Sequence, residues 1–300
     1  MEVATVEVRA GIEPAFKDLQ SSASPLCHRT AKRAALGQAR YIPREPSRGQ
    51  AQGHAPVSPR ARPGYKPRSF TTGPKMDLPT LDYAAARDHM VDSQIRPNRI
   101  VDPRIIRAMR TLPRERFVPP HLASMAYIDE DLALPEGRNL MEPLVLARLV
   151  QLARIRAGER ALVVGAGSGY GAAVLRLCSA AVTALEEDAA LLAIARNVLP
   201  AVAPGVTVVE GKLQAGLKGP WDVILIEGAV REIPAAIGAE LDPHGGRLVT
   251  VLAQSPGLGS GVLAEPINPG SPEPTLRAQP HFDCATPYLP AFRAAPAFQF

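Results

Sequence analysis

The stretch Ala161-Leu-Val-Val-Gly-Ala-Gly-Ser-Gly-Tyr170 begins as an apolar strand pattern, breaks into alternating glycines and leads into a helical pattern. Its glycines remove the Cβ atoms where a strand turns into a helix. Backbone and helix N-terminal N–H groups can therefore approach a ligand closely. Glu186 closes the next apolar run, 21 residues after Gly165. A carboxylate about 20 residues past such a turn lies where the hydroxyls of a ribose bind. The stretch predicts a nucleoside site at the carboxyl ends of two strands.

The spacing of the glycines separates two kinds of nucleoside site. A dinucleotide site has the pattern G-x-G-x-x-G, whose third glycine would fall on Tyr170 in this chain. Here a glycine stands at every second residue from Gly165 to Gly171. This is the G-x-G-x-G form of S-adenosylmethionine-dependent methyltransferases. The alternative is a glycine-rich turn of some other α/β domain, and the position of Glu186 favours the nucleoside site.

Short apolar runs alternate with helical patterns between residues 144 and 252. Runs rich in Val, Ile and Leu suit strands buried on both faces, and they lie at 161–164, 181–185, 206–209, 223–226 and 247–252. Residues 170–178 and 188–198 have helical spacing between them. This alternation predicts an α/β fold, a Rossmann-like, doubly wound and mostly parallel sheet with helices on both faces.

Several separate stretches carry a resemblance to a known family. They are Met90-Val-Asp-Ser-Gln-Ile-Arg96, Ile106-Arg-Ala-Met-Arg-Thr-Leu-Pro-Arg-Glu-Arg-Phe-Val-Pro119, Trp221-Asp-Val-Ile-Leu-Ile226 and Gly245-Gly-Arg-Leu-Val249. On these residues the chain resembles protein-L-isoaspartate O-methyltransferases from about residue 90 to about residue 253. The resemblance implies a class I methyltransferase fold and S-adenosyl-L-methionine as cofactor. It implies methyl transfer to the carboxylate of L-isoaspartyl residues in damaged proteins or peptides, which is a repair reaction.

The chain departs from the family pattern in the loop ahead of the nucleoside fold and at two other positions. Where the family has G-x-T-I-S-x-P, this chain has Gly137-Arg-Asn-Leu-Met-Glu-Pro143, so Asn139 and Met141 replace both hydroxyl residues. Val163 and Lys212 stand where the family has acidic residues. Three functions stay open: an isoaspartyl methyltransferase, a methyltransferase with a different acceptor, and a catalytically inert relative that binds a nucleoside.

The resemblance also implies which residues form the site. Asn139 and Glu142, in the loop that faces the acceptor, are the candidate catalytic residues. The candidate cofactor-binding residues are Gly165, Ala166, Gly167, Ser168, Gly169, Glu186, Gly211 and Glu227. Glu227 has two interpretations, a substitute acceptor for the adenine amino group or a solvated loop carboxylate. No metal site is expected, because the six histidines and three cysteines have no metal-ligand spacing.

Composition divides the chain into four predicted segments: 1–75, 76–143, 144–253 and 254–300. The first is a low-complexity basic tail with 13 Lys and Arg against five Asp and Glu; we expect it to be disordered or a mis-assigned start, with the natural chain beginning near Met76. The others are an N-terminal helical segment on the substrate side, the S-adenosylmethionine-binding α/β domain, and a C-terminal hairpin with an extended arm.

Charge and composition also bear on partners and location. The tail's charge alone would suit a nucleic-acid-binding arm. Residues 11–29, however, resemble a peptide that recurs at the start of unrelated predicted proteins, so a nucleic-acid partner is not expected. The cysteines form no C-x-x-C pair, and no apolar stretch reaches the ~18 residues of a membrane helix. We expect a cytoplasmic protein without a membrane partner.

Overall fold

The computed structural model describes residues 81–255, 257–267 and 275–293, so the basic segment 1–75 lies outside the described residues. The helices within these ranges are α1 (Tyr83–Met90), α2 (Pro103–Thr111), α3 (Pro143–Ala153), α4 (Tyr170–Leu177), α5 (Ala189–Val202) and α6 (Ala235–Gly238). The strands are β1 (Leu132–Ala133), β2 (Asn139–Leu140), β3 (Arg160–Val164), β4 (Ala181–Glu186), β5 (Thr207–Glu210), β6 (Val223–Val230), β7 (Arg247–Ser255), β8 (Leu258–Pro266) and β9 (Leu276–Cys284). A five-residue π-helical turn and a 3-10 turn connect α1 to α2, and two further 3-10 turns lie between α2 and β1.

Seven strands form one sheet in the order β5-β4-β3-β6-β7-β8-β9. The five strands from β3 to β7 are parallel to one another. The chain proceeds outward from β3 to β5 on one side and from β6 to β7 on the other, so the topological switch point lies between β3 and β6. Ligands of open α/β sheets bind at this point, outside the carboxyl ends of the strands. The predicted doubly wound, mostly parallel sheet is confirmed.

Local sequence explains where the helices begin. Asp82 accepts hydrogen bonds from the N–H groups of Ala84 and Ala85, both at 3.0 Å, and so caps α1. Asp188 caps α5 through the N–H of Leu191 at 2.8 Å. An aspartate at the N-cap satisfies helix N–H groups that have no partner within the helix.

The C-terminal segment extends the sheet with antiparallel strands. The expected hairpin is present, because β8 pairs antiparallel with β7. The segment we expected to be an extended arm contains a further strand, β9, which pairs antiparallel with β8. Its prolines oppose a helix but do not prevent a terminal strand, since Pro280 lies beside a register shift between Gly261 and Val262.

The N-terminal segment packs onto the start of α4 through aromatic and cationic side chains. The ring of Phe117 meets that of Tyr170 edge-on, with centroids 5.3 Å apart. The guanidinium of Arg114 lies over the same tyrosine ring, 4.6 Å from its centroid. All three side chains are fully buried. The loop before β1 is thereby fixed against the glycine turn. Across the described ranges, no helix combines the length and the apolar character that a membrane span requires.

Candidate functional site

The turn between β3 and α4 contains three glycines in the left-handed backbone region. Gly165, Gly167 and Gly169 have φ values of +72°, +57° and +96°. The N–H groups of Gly165 and Ala166 donate to the carbonyl of Leu185 at 3.0 and 3.1 Å, which ties the turn to the end of β4. A Cβ built on Gly167 would meet no atom within 4 Å. The turn has the backbone conformation that its glycine spacing predicts, with open space beside Gly167.

Glu186 ends β4 with a buried carboxylate that accepts four hydrogen bonds. Its Oε1 accepts from Arg138 Nη1 at 2.5 Å and from the N–H groups of Glu187 and Asp188 at 2.9 and 3.0 Å. Its Oε2 accepts from the N–H of Gly167 at 2.6 Å. A carboxylate offers about four acceptor positions. The structure therefore brings Glu186 against the glycine turn, with three donors on Oε1 and one on Oε2.

Arg138 is a site residue that sequence reasoning missed. Its side chain is 6% exposed and ion-paired with Glu186, and its Nη2 donates to the carbonyl of Gly165 at 3.0 Å. One guanidinium thus bridges the ends of β3 and β4. Arg138 stands at an unspecified position of the G-x-T-I-S-x-P frame, and the only signal for it was its place beside Asn139.

A segment near the C-terminus, here called the C-terminal strap (residues 286–292), crosses the end of β6. The N–H of Ala229 donates to the carbonyl of Pro287 at 3.0 Å, and the N–H of Leu289 donates back to the carbonyl of Ala229 at 2.9 Å. The hydroxyl of Tyr288 donates to the carbonyl of Ala253 at 2.6 Å. The arm predicted from spaced apolar residues is therefore pinned to the domain at the site itself.

Leu289 of the strap lies between the carboxyl ends of β3 and β6. Its side chain is 4% exposed. Both its methyl carbons lie 3.1 Å from a Cβ built on Gly165, and its Cγ lies 2.4 Å from a Cβ built on Gly228. Close contact with Leu289 thus requires glycine at position 228. The leucine occupies the switch point where a ligand of this fold binds.

The strap and the loop around Arg138 enclose a cavity with a volume of about 10 Å³, roughly room for one water molecule. The side chains around it come from three parts of the chain and include Asp131, Arg138, Asn139, Met141, Glu227, Thr286 and Leu289. The structure therefore brings Asn139 and Glu227, which sequence reasoning placed in different roles, to one cavity.

Some of the buried polar atoms without a partner belong to residues at or next to this cavity. Among the described residues they include Arg138 Nε, Ser168 Oγ, Glu227 Oε2 and Thr286 Oγ1. Buried polar atoms in proteins are nearly always hydrogen-bonded, so a group of unpaired ones points to a polar ligand. Three of these four side chains line the cavity, and the fourth belongs to the glycine turn.

The loop predicted to face the acceptor is held by the N-terminal segment. Asn139 pairs with Ala133 in the β1–β2 ribbon, and Met141 is buried. The Met141 carbonyl accepts a hydrogen bond from Arg114 Nη2 at 2.7 Å, while Arg114 Nε donates to the carbonyl of Ala126 at 2.6 Å. The fully buried arginine thereby fixes the backbone next to Asn139.

Glu142 lies at the start of α3 within a group of three carboxyls. Its N–H donates to Asp131 Oδ1 at 2.9 Å. Burial, followed by the nearby charges of Asp129 and Asp131, raises the pKa of Glu142 to about 7. Burial likewise raises the pKa of Asp129 and of Asp131. The group therefore carries less negative charge near neutral pH than three free carboxylates would.

Glu227 lies inside β6 and is 5% exposed, so its interpretation as a solvated loop carboxylate is wrong. Burial raises its pKa to about 8, and the charges of Arg114 and Arg138 only partly oppose this. Its Oε2 lies 2.3 Å from a Cβ built on Gly171, so α4 can approach only because that position is glycine. Near neutral pH Glu227 is mostly protonated and able to donate a hydrogen bond.

The remaining predicted residues lie at the ends of β4 and β5. The N–H of Gly211 donates to the backbone carbonyl of Glu186 at 3.0 Å. Lys212, which replaces a family aspartate, is exposed and precedes the short turn Leu213–Ala215. The structure thus places Gly211 directly beside Glu186. In the described ranges no group of three or more His, Cys, Asp or Glu residues could hold a metal ion.

The strand order, the glycine turn at the switch point and the carboxylate that ends β4 define a nucleoside-binding domain of the class I methyltransferase fold. The family model described as protein-L-isoaspartate(D-aspartate) O-methyltransferase matches residues 85–256. The chain belongs to this family.

Curated relatives agree with the family model. The protein-L-isoaspartate O-methyltransferase of Methylorubrum extorquens (strain PA1) is 39% identical over 182 residues, which cover 60% of this chain and 80% of the relative. The protein of the same name from Koribacter versatilis (strain Ellin345) is 38% identical over 170 residues, which cover 56% of this chain and 76% of the relative.

Solved structures agree with the fold. One protein-L-isoaspartate O-methyltransferase has a TM-score of 0.57 at 22% identity, with coverage of 68% of this chain and 65% of that one. A putative protein-L-isoaspartate O-methyltransferase from Plasmodium falciparum, in complex with S-adenosyl-L-homocysteine, has a TM-score of 0.54 at 18% identity. The matched region covers 68% of this chain and 98% of the Plasmodium falciparum chain. At these identities the likeness shows the fold alone.

Proposed function

We propose that this chain transfers the methyl group of S-adenosyl-L-methionine to the carboxylate of L-isoaspartyl residues in damaged proteins and peptides. Family membership supports the reaction. The observation that carries it to this chain is the buried Glu186 carboxylate, which meets the Gly167 N–H at 2.6 Å across the turn at the switch point. The free thiols of Cys178 and Cys284 suit a reducing compartment, so we place this repair in the cytoplasm.

The residues present fit the donor in chemistry and backbone conformation. Glycines with positive φ leave room for a ligand against the backbone, and Glu186 is an acceptor for ribose hydroxyls. We assign donor binding to Gly165, Ala166, Gly167, Ser168, Gly169, Glu186 and Gly211, with Glu227 on the cavity side. When bound, S-adenosyl-L-methionine supplies an electrophilic methyl group on a sulfonium.

Methyl transfer to an isoaspartyl carboxylate requires little acid–base chemistry from the protein. A carboxyl group with an ordinary pKa near 4 is already ionised at pH 7, so no residue needs to remove a proton. Catalysis then comes chiefly from holding the two reactants in line, which is worth about 7 to 11 kcal/mol in well-oriented systems. The residues of the loop and the cavity are therefore binding and orienting groups.

The side chains around the cavity supply hydrogen-bond donors for an anionic acceptor. The amide of Asn139 supplies N–H donors in place of the family's hydroxyl, and protonated Glu227 supplies an O–H donor. Glu142, Asp129 and Asp131 would repel a carboxylate if all were ionised. Their raised pKa values reduce that repulsion near neutral pH. We propose that Asn139 binds the acceptor directly and that Glu142 sets the charge of its surroundings.

The reaction is tested by methyl transfer from labelled S-adenosyl-L-methionine to an isoaspartyl peptide, catalysed by the full chain. A peptide of the same sequence with ordinary aspartate is the matched control. We expect label on the isoaspartyl peptide alone, in a form that mild alkali releases as expected of a methyl ester. Equal label on both peptides, or label that resists alkali, would mean a different acceptor group. A folded chain that transfers no methyl to either peptide would contradict the proposal.

A further inference from the structure

The strongest unexplained feature of the site is that the chain's own side chains fill it. Leu289 lies at the switch point between β3 and β6, in contact with both Gly165 and Gly228. A ligand that approaches the turn at this point meets the leucine before it meets the backbone. The cavity left beside the leucine, about 10 Å³, has room for roughly one water molecule.

Half of the carboxylate that would bind ribose hydroxyls is also occupied. Glu186 Oε1 accepts from Arg138 and from the N–H groups of Glu187 and Asp188, which use its capacity, whereas Oε2 accepts only from the N–H of Gly167. The backbone donors belong to the fold and stay in place. The Arg138 bond is the one that a ligand hydroxyl can replace, because a side chain can turn away while a turn of backbone cannot.

A released Arg138 needs another anionic partner. An unpaired guanidinium in a buried site is costly. Arg138 already lines the cavity beside Asn139, and its Nε has no partner. A guanidinium matches a carboxylate with two parallel hydrogen bonds, a geometry that arginine provides better than lysine. Once Leu289 has moved out, a carboxylate bound beside Arg138 would supply the missing partner.

The strap can leave without disrupting the sheet. It follows β9, which ends at Cys284, and its backbone bonds to the described domain include the two with Ala229. Its side-chain bonds are those of Tyr288 to the Ala253 carbonyl and of Gln214 to the Ala291 carbonyl at 2.7 Å. Its apolar anchors are Leu289, which belongs to the core beside β6, and Ala291 and Phe292, which pack against that core, so the main cost of opening is the exposure of these side chains.

We propose that Arg138 is a two-position residue that closes the donor site through Glu186 and, once the donor displaces it together with Leu289, binds the carboxylate of the acceptor. The inference rests on the proposed function for the identity of both ligands. It makes binding ordered, since the donor has to free Arg138 before the acceptor can use it. It also gives this chain an acceptor-binding residue where the family's loop hydroxyls are absent.

The inference predicts opposite effects of one substitution on the two ligands. Arg138→Ala should lower the Kd of S-adenosyl-L-homocysteine at least about tenfold, since less closing energy opposes binding. The same change should raise the KM of the isoaspartyl peptide by at least about tenfold, because the carboxylate loses a charged partner. Leu289→Ala should likewise lower the Kd of S-adenosyl-L-homocysteine and leave the peptide KM unchanged.

Matched controls exist elsewhere in the chain. Arg154 pairs with Glu265 at 2.6 Å on the surface, and Leu258 is 65% exposed. Arg154→Ala and Leu258→Ala should leave both constants as in the wild type. Arg138→Lys keeps the charge without the two-pronged geometry and should give an intermediate peptide KM. Thermal unfolding of every variant shows whether it is folded.

Hydrogen exchange of the wild-type chain gives a readout that needs no turnover. Saturating S-adenosyl-L-homocysteine should speed the exchange of the Leu289 amide, which donates to the Ala229 carbonyl at 2.9 Å. A ligand that binds without moving the strap would slow that amide or leave it unchanged, and this result would overturn the inference.

The binding outcomes separate this inference from the proposed function. Equal nucleoside affinity in wild type, Arg138→Ala and Leu289→Ala, with methyl transfer intact, overturns the inference alone. Tighter nucleoside binding in Arg138→Ala with an unchanged peptide KM overturns the acceptor role of Arg138. Folded variants that neither bind the nucleoside nor transfer methyl overturn the proposed function and the inference together.

Discussion

Replacing Glu227 by Gln keeps the shape of a side chain buried in β6 and removes its titration. In the folded chain burial raises the pKa of Glu227 to about 8, against a usual value of 4.5. Between these two pH values the unfolded chain has lost the Glu227 proton while the folded chain still holds it. The unfolded state therefore binds fewer protons, and the free energy of unfolding falls as pH rises through the window.

The size of the effect follows from the shift. Each pKa unit corresponds to 1.36 kcal/mol, so Glu227 lowers the stability of the wild type by up to about 5 kcal/mol between pH 4.5 and about pH 8. Glu227→Gln lacks this term. We expect the variant to be close to the wild type in stability at about pH 5 and clearly more stable at about pH 8.5.

Urea unfolding of both chains across this pH range measures the difference, because each other titrating group contributes equally to the two curves. Glu232→Gln, an exposed glutamate just beyond the same strand, is the control and should follow the wild type throughout. The reasoning is refuted if wild type and Glu227→Gln lose the same free energy of unfolding as the pH rises.

Three further substitutions test other parts of the site. Arg114→Met leaves the carbonyls of Ala126 and Met141 without their charged donor and should lower the free energy of unfolding in urea by about 3 to 6 kcal/mol. The control Arg116→Met, at an exposed position, should stay within about 0.5 kcal/mol of the wild type. The KM for isoaspartyl peptide should rise up to about tenfold as the pH goes from 6 to 8, because Glu142, with a pKa of about 7, becomes charged. Glu142→Gln should flatten this rise. Parallel pH profiles of KM in the variant and the wild type would show that Glu142 does not face the acceptor. In an Arg138→Ala background, Glu186→Gln should weaken S-adenosyl-L-homocysteine at least about tenfold in calorimetry. Glu210→Gln, its exposed register partner on β5, should have no effect, and equal affinities would remove Glu186 from the donor site.

The parallel half of the fold could be predicted because its signals are local. Apolar runs mark strands buried on both faces, and the run that ends at Gly165 marks the switch point. The position of β9 could not be read in this way, because six of its nine residues are exposed and none is fully buried, so its apolar residues show no strand period. The sequence favoured an arm there because it showed the prolines and not the partner strand.

Residue spacing predicted which parts of the backbone meet at the site. Gly167 and Glu186 meet as expected, since carboxyl ends of neighbouring parallel strands share one edge. Arg138 and Leu289 were not predictable as site residues. An arginine in a loop and a leucine near the C-terminus have no spacing that marks them, and only the folded chain brings them onto the same turn. The burial of Glu227 was missed because β6 continues four residues beyond its apolar run.

The antiparallel extension of the sheet affects how readily the molecule could associate with other chains through a sheet edge. β9 is one of the two terminal strands of the described sheet, and its outer edge is a side on which another chain could add a strand and begin aggregation. Pro280 offers no N–H to such a strand, the register shift beside Gly261 bends the edge, and Arg277 puts a charge on it. The irregular features of β9, which made the strand hard to predict, thus also oppose edge-to-edge association.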